Sequence, residues 1–158
     1  MQINKVEDAI RNLIGVFFDA GKLSLKLRSQ GLIEHIKKDK TPVTNGDIEV
    51  NNIILSSLKK ITPDIPIVSE ETAENKNLNL ETFWLVDPID GTYDYIHNKD
   101  EFTLNAGLII NKEAVAGIIY APAKNRMFYS FGNKLSYELK NGKEEILNNK
   151  KIDKNNLK

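Results

Sequence analysis

Carboxylates dominate the chemistry available to this chain. Between Ile61 and Ile96 there are eight acids (Asp64, Glu70, Glu71, Glu74, Glu81, Asp87, Asp90 and Asp94) against one base, Lys76, although the whole sequence balances 22 basic and 22 acidic residues. The informative acids follow short apolar runs: Glu70 comes after Pro66-Ile67-Val68-Ser69, and Asp87 after Thr82-Phe83-Trp84-Leu85-Val86. If both runs are strands of one sheet, their carboxylates converge at its rim. In Asp87-Pro88-Ile89-Asp90-Gly91-Thr92, Pro88 lacks a ladder donor and is expected to stop the strand. Gly91 tolerates a backbone angle that other residues resist, and Asp90 is expected to cap a short helix running through Tyr95. Carboxylates forced together repel, so their pKa values rise unless a cation lies between them. Hard oxygen ligands without His or Cys suit Mg²⁺, and a helix N-terminus beside that ion cradles phosphate. The expected chemistry is metal-assisted phosphoryl transfer.

Each element also has a plain structural reading. Asp-Pro-x-Asp-Gly is good turn chemistry, Ser69-Glu70-Glu71-Thr72 resembles a helix cap, and Thr44 with Asp47 reads as a capping pair. All three fall at element boundaries, which points beyond punctuation.

The elements that must position these acids follow from periodicity. Ile3, Val6, Ile10, Leu13, Ile14, Phe17 and Ala20 share one face of a helix over residues 3–28. Gly31 to Ile36 reads as a short extended segment. A second helix begins near Thr44, with Ile48, Ile53, Ile54, Leu55 and Leu58 as its apolar face, and ends before Pro63 and Pro66. Beyond Ile65 the pattern changes to buried strands at 66–68 and 82–86, then 102–110, 114–120 and 127–131 in an antiparallel meander. Residues 135–139 and 144–147 flank Asn141-Gly142, a hairpin signal. The expected fold is α+β, two N-terminal helices packed on a mainly antiparallel sheet. Residues 1–147 form the domain, and an Asn- and Lys-rich tail or linker follows at 148–158.

Composition removes several alternatives. Zero net charge argues against general electrostatic nucleic-acid binding. The lack of cysteine excludes disulfides, thiolate catalysis and Cys-ligated zinc. The two histidines, His35 and His97, have no partners at metal-ligand spacing. A polar start and no apolar run near 18 residues lead to the expectation of a soluble, cytoplasmic protein without membrane insertion. Trp84 is expected in the core, Tyr93 or Tyr95 at the pocket, and Lys37 and Lys38 either near substrate phosphate or simply solvated.

Leu85-Val86-Asp87-Pro88-Ile89-Asp90-Gly91-Thr92 resembles the signature of the inositol monophosphatase superfamily of Mg²⁺-dependent, lithium-sensitive phosphatases, with Ser69-Glu70-Glu71 at the expected distance before it. Asp39-Lys40-Thr41-Pro42-Val43-Thr44-Asn45-Gly46-Asp47 resembles the family's D-x-S-P-V-T-x-A-D element. Thr41-Pro42-Val43-Thr44, Asp100-Glu101-Phe102-Thr103-Leu104-Asn105 and Gly117-Ile118-Ile119-Tyr120-Ala121-Pro122 are most similar to its bacterial CysQ-type branch. The resemblance covers about Ile3 to Leu147. It implies a 3′(2′),5′-bisphosphate nucleotidase that converts 3′-phosphoadenosine 5′-phosphate to AMP and phosphate, or alternatively an inositol-monophosphate phosphatase.

By the same resemblance, Glu70, Asp87 and the Ile89 carbonyl ligate one Mg²⁺, and Asp87 and Asp90 share a second, out of two or three ions. Asp47 and Thr92 orient and activate water, and the Gly91 and Thr92 N–H groups hold phosphate. Two departures stand out. Gly46 replaces the usual Ala, and the family's W-D-x-A-A motif, with a further metal-binding Asp, does not follow the only tryptophan, Trp84. The expectation is therefore an N-terminal half without its C-terminal domain. Such a half is either a truncated, non-catalytic remnant that binds metal or a partner, or one completed by a complementing chain; a homodimer is the family's expectation.

Overall fold

The computed structural model describes residues 3–37, 40–72, 79–132 and 135–147, with the side chains of Ile3 and Asn4 left out. The expected tail at 148–158, and Lys38, Asp39, Glu74 and Lys76, lie outside the described residues. Helix α1 spans Ile3–Gln30, and a short hairpin of β1 (Glu34–Ile36) and β2 (Pro42–Thr44) leads into α2 (Asn45–Ile61). Strands β3 (Ile67–Ser69) and β4 (Phe83–Asp90) precede α3 (Thr92–Ile96), and β5 (Thr103–Ile110), β6 (Glu113–Ala121), β7 (Arg126–Ser130), β8 (Ser136–Lys140) and β9 (Lys143–Ile146) complete the chain. The sheet order is β3-β4-β5-β6-β7-β8-β9, with β3 parallel to β4 and every later pair antiparallel. Among the described residues, no helix is long and apolar enough to cross a membrane.

The turn chemistry behaves as the sequence requires. Asn111 and Lys112 adopt φ of 53° and 67°, and Asn141 and Gly142 adopt 51° and 75°, the left-handed pairs that match the twist of a two-residue hairpin. Alternation along the meander divides the sheet into two faces. Trp84, Val86, Leu104, Ala106, Leu108, Ile118 and Tyr120 are buried against α1 and α2. Leu85 and Ile119, on the opposite face, are about half exposed. Trp84 is fully buried, as expected, and donates from Nε1 to Thr62 Oγ1 at 2.9 Å.

Two expectations need correction. The α2 face turns on Val50, Ile54 and Leu58, whereas Ile48 is 43% exposed. The expected Thr44–Asp47 cap does start the helix, and Ile48 lies on its solvent side. The hairpin partner β2 has no apolar pattern that would announce it. Finally, Pro88 does not stop β4, which continues to Asp90 through an irregularity between Asp87 and Asp90.

Gly46 marks a close approach between α2 and α3. A Cβ there would lie 2.5 Å from the Tyr95 hydroxyl and 2.7 Å from its ring. Tyr95 is fully buried and donates to the Ser24 carbonyl at 2.6 Å, so it cannot easily move aside. Ala ordinarily improves a helix by about 1 kcal/mol over Gly, but overpacking a rigid core costs about 1–3 kcal/mol. Gly46→Ala is expected to lower the urea midpoint with an unchanged m-value, and denaturation followed by far-UV circular dichroism checks this.

Candidate active site

The sheet register brings the first two acids together. Ser69 on β3 is the partner of Val86 on β4, and the Glu70 N–H donates to the Val86 carbonyl at 3.0 Å. In a parallel pair the next residues on both strands leave at the same rim, so Glu70 and Asp87 emerge side by side. The Asp87 carboxyl is pushed up to about 7, first by burial and then by the charges of Glu70 and Asp90 and a contact with the Glu70 carboxyl. Asp87 Oδ1 is buried without a hydrogen-bond partner.

The irregularity in β4 places the third acid. Asp87 pairs with Asn105 and Asp90 with Thr103, so β4 spends three residues where β5 spends two. This extra residue is a β-bulge. Without it, residues three apart would point to opposite faces. With it, Asp87 and Asp90 follow Asn105 and Thr103 onto the same face. Pro88 and Ile89 are absorbed within the bulge and turn inward, where both are buried. Asp90 does not cap α3, contrary to expectation. Gly91 takes the cap position at φ 91°, and a Cβ there would meet the Glu101 carbonyl at 2.7 Å.

Asp47 and Thr92 form the floor. Thr44 Oγ1 accepts from the N–H groups of Gly46 at 3.1 Å and Asp47 at 3.4 Å. In return Asp47 Oδ2 accepts from the Thr44 N–H at 2.8 Å and hydroxyl at 2.6 Å. This reciprocal capping box leaves Asp47 Oδ1 within 3.3 Å of the Thr92 hydroxyl, which also lies 3.1 Å from the Ile89 carbonyl. Asp47 is 1% exposed, and burial raises its carboxyl above the usual range against the opposing pull of the Thr44 hydrogen bonds. Capping and a place in the site coexist in one side chain.

Among the described residues, the cation paired within this cluster is Lys37, which follows β1. Its ammonium lies 2.8 Å from Glu71 and 3.4 Å from Glu70. The side chain therefore pairs with protein carboxylates and is not simply solvated, and Glu71, quoted with Glu70 in the sequence but given no role there, is a part-buried participant. Tyr95 lies beneath the floor, whereas Tyr93 is 62% exposed. His35 is exposed, and His97 Nδ1 contacts the Tyr93 carbonyl at 2.7 Å. A cavity of about 560 Å³ opens on the free sheet face, with Asp90, Thr103 and Asn105 at one end and Gly117, Ile119 and Phe128 along it. Asn105 is a further polar side chain missed in the sequence. Its signal was an amide within an otherwise apolar strand, a position such residues avoid.

Among the described residues, no three His, Asp or Glu side chains are drawn close enough to hold a metal ion. The donor chemistry nevertheless fits a hard divalent cation: the carboxylates are crowded, one buried carboxylate oxygen is orphaned, and neither His nor Cys takes part.

The geometry and the sequence lead to one class. The chain belongs to the inositol monophosphatase family, whose model matches residues 6–156. It is 43% identical over 96 residues to the 3′(2′),5′-bisphosphate nucleotidase CysQ of Salmonella typhimurium, covering 60% of this chain and 39% of that protein. It is 39% identical over 133 residues to the enzyme of the same name from Buchnera aphidicola, covering 82% and 50%. The solved structure of the Thermotoga maritima IMPase superposes with a TM-score of 0.73 at 26% identity, covering 86% of this chain and 52% of that one, in agreement with the α+β fold. The chain spans about half the length of the relatives it matches, or less.

Two outcomes follow from the electrostatics. Lys37→Met leaves Glu71, 9% exposed in its side chain, without its ammonium, and is expected to destabilise the divalent-free protein by about 1–3 kcal/mol, measured by urea unfolding in chelator. Asp87→Asn removes one of the crowded charges, so it is expected to raise the melting temperature in chelator while abolishing any further rise on adding Mg²⁺. A differential scanning fluorimetry titration measures both effects.

Proposed function

We propose that this chain carries the metal-binding and water-activating part of a Mg²⁺-dependent phosphomonoesterase, a 3′(2′),5′-bisphosphate nucleotidase that converts 3′-phosphoadenosine 5′-phosphate to AMP and phosphate. The observation that carries this reading is the convergence of Glu70 and Asp87 at one sheet rim, with an orphaned buried oxygen on Asp87, beside the Asp47–Thr92 pair. Glu70, Asp87 and the Ile89 carbonyl would hold one ion, and Asp87 with Asp90 a second. When bound, such ions generate a nucleophile at neutral pH and stabilise charge on the transferring group.

The chain's own residues do the rest. Asp47 accepts the Thr92 hydroxyl proton, which turns the Thr92 oxygen lone pairs toward an attacking water. That water's proton passes to Thr92 as the Thr92 proton passes to Asp47, while the bond from phosphorus to the 3′-oxygen breaks and that oxygen takes a proton from solvent to leave as the AMP hydroxyl. Burial raises the proton affinity of Asp47, which favours this transfer. The N–H groups of Gly91 and Thr92 bind the phosphate oxygens, and Gly91 supplies the left-handed backbone angle and the close fit against the Glu101 carbonyl that this turn needs. Nucleotide preference is supported by the relatives named CysQ, and an inositol phosphate is the alternative substrate, supported by the IMPase neighbour.

A second reading is a chain that binds metal, or a partner chain, without turnover. It is favoured by the half-exposed Leu85 and Ile119 on the sheet face beside the acids. Phosphate release from 3′-phosphoadenosine 5′-phosphate and from inositol 1-phosphate, with and without Mg²⁺, separates these readings. The nucleotidase reading expects Mg²⁺-dependent release favouring the nucleotide, lost in Asp90→Asn and reduced about 10²–10⁴-fold in Asp47→Asn. Mg²⁺ binding by calorimetry without release from either substrate selects the second reading.

A further inference from the structure

We propose that Asn105 is a positioning residue of this site and holds Asp87 in place through its side-chain amide. The inference deepens the proposed function and rests on its assignment of Asp87 to metal binding.

Asn105 on β5 is the direct partner of Asp87 on β4. Opposed residues on neighbouring antiparallel strands share a face, with Cβ atoms about 4.5–5.5 Å apart, and Asp and Asn side chains have equal reach. Among the described residues, the buried side-chain atoms without a hydrogen-bond partner are Asp87 Oδ1 and Asn105 Oδ1. The two orphans therefore belong to one cross-strand pair. Two buried acceptors on such a pair satisfy neither group. An Asn amide resolves this by a half-turn about Cβ–Cγ, which exchanges its oxygen and NH₂ with almost no change of shape. The NH₂ then donates to Asp87 Oδ1. The carbonyl oxygen turns into the cavity it shares with Asp90 and Thr103, where water or ligand satisfies it.

The surroundings explain why an amide suits this position. Asp87 already meets the Glu70 carboxyl and feels the charges of Asp90 and Glu71. The nearby ammonium, on Lys37, is bonded to Glu71 and Glu70. A second cation against Asp87 would compete with a divalent ion for the same charge. A neutral donor fixes the orientation of the carboxylate and leaves its charge available. Partners of this kind orient metal-binding carboxylates, and their loss typically costs about 10–100-fold in metal affinity.

Titration calorimetry of wild type, Asn105→Ala and Ser130→Ala with Mg²⁺ alone provides the first test. Ser130 lines the same sheet face two strands away and serves as control. The expected result is a Kd weakened about 10–100-fold in Asn105→Ala and unchanged in Ser130→Ala. An unchanged Kd in Asn105→Ala overturns the proposal. The second test is the ¹⁵N-resolved side-chain NH₂ signal of Asn105, assigned by its loss in Asn105→Ala. Donation to a carboxylate predicts that this signal shifts in Asp87→Asn, in chelator as well as in Mg²⁺, and an unmoved signal overturns the hydrogen bond. Wild type that binds no Mg²⁺ would overturn the metal reading, while the NH₂ signal would still decide the Asn105–Asp87 contact.

Discussion

Repulsion among carboxylates is the constraint that the rest of this structure answers to. Two unit charges about 4 Å apart interact by roughly 4 kcal/mol at an effective dielectric typical of a protein surface, a large share of the ~5–15 kcal/mol that stabilises a whole domain. Asp87 nonetheless feels the charges of both Glu70 and Asp90, and its carboxyl meets that of Glu70. The framework resists because β4 is an interior strand, laddered to β3 on one side and β5 on the other. Trp84, Val86 and Ile89 anchor it from beneath in the core. Separating the acids would mean breaking register along β4 and lifting those side chains from the core. The repulsion is thus retained in the native state, where a divalent cation can exploit it.

The floor of the site is coupled to the helical layer through a short chain of contacts. The Thr44–Asp47 box starts α2 and presents Asp47 to Thr92 at the start of α3. Tyr95, one turn further along α3, reaches through to the Ser24 carbonyl of α1 and lies against Gly46. Asp47, Gly46, Tyr95 and Ser24 therefore link three helices through positions that tolerate little change. The Gly46 departure from the usual family alanine has a local cause in this chain: the space an alanine methyl would need is filled by a tyrosine hydroxyl.

Much of this was legible in the sequence because its signals are local. Helix α1, the three-strand meander and the Asn141-Gly142 hairpin follow from periodicity and turn chemistry, which need only neighbours along the chain. The convergence of Glu70 with Asp87 also followed, given that both end apolar strands of one sheet. The bulge did not. Proline's missing donor suggested that the strand should end, yet a bulged residue needs no ladder donor, so Pro88 fits where the expectation placed a stop. Lys37 with Glu71, and Asn105 with Asp87, were illegible for another reason. They join residues far apart in sequence, 34 for the ion pair, and only the sheet register makes them neighbours.

The site also differs from the core in what surrounds it. One sheet face is covered by α1 and α2, while Asp87, Asp90 and Asn105 belong to the other, along with exposed Leu85 and Ile119. Preorganised charges stabilise a transition state best where water is excluded, and open water weakens the same charges by raising the local dielectric. Binding a divalent ion makes a smaller demand: it needs oxygen ligands and tolerates water among them, as Mg²⁺ usually does. On the proposed reading, the described framework is therefore better suited to collecting metal than to sheltering the reaction. Whatever covers Leu85, Ile119 and the cavity beside Asp90 would supply the dry wall that phosphoryl transfer requires.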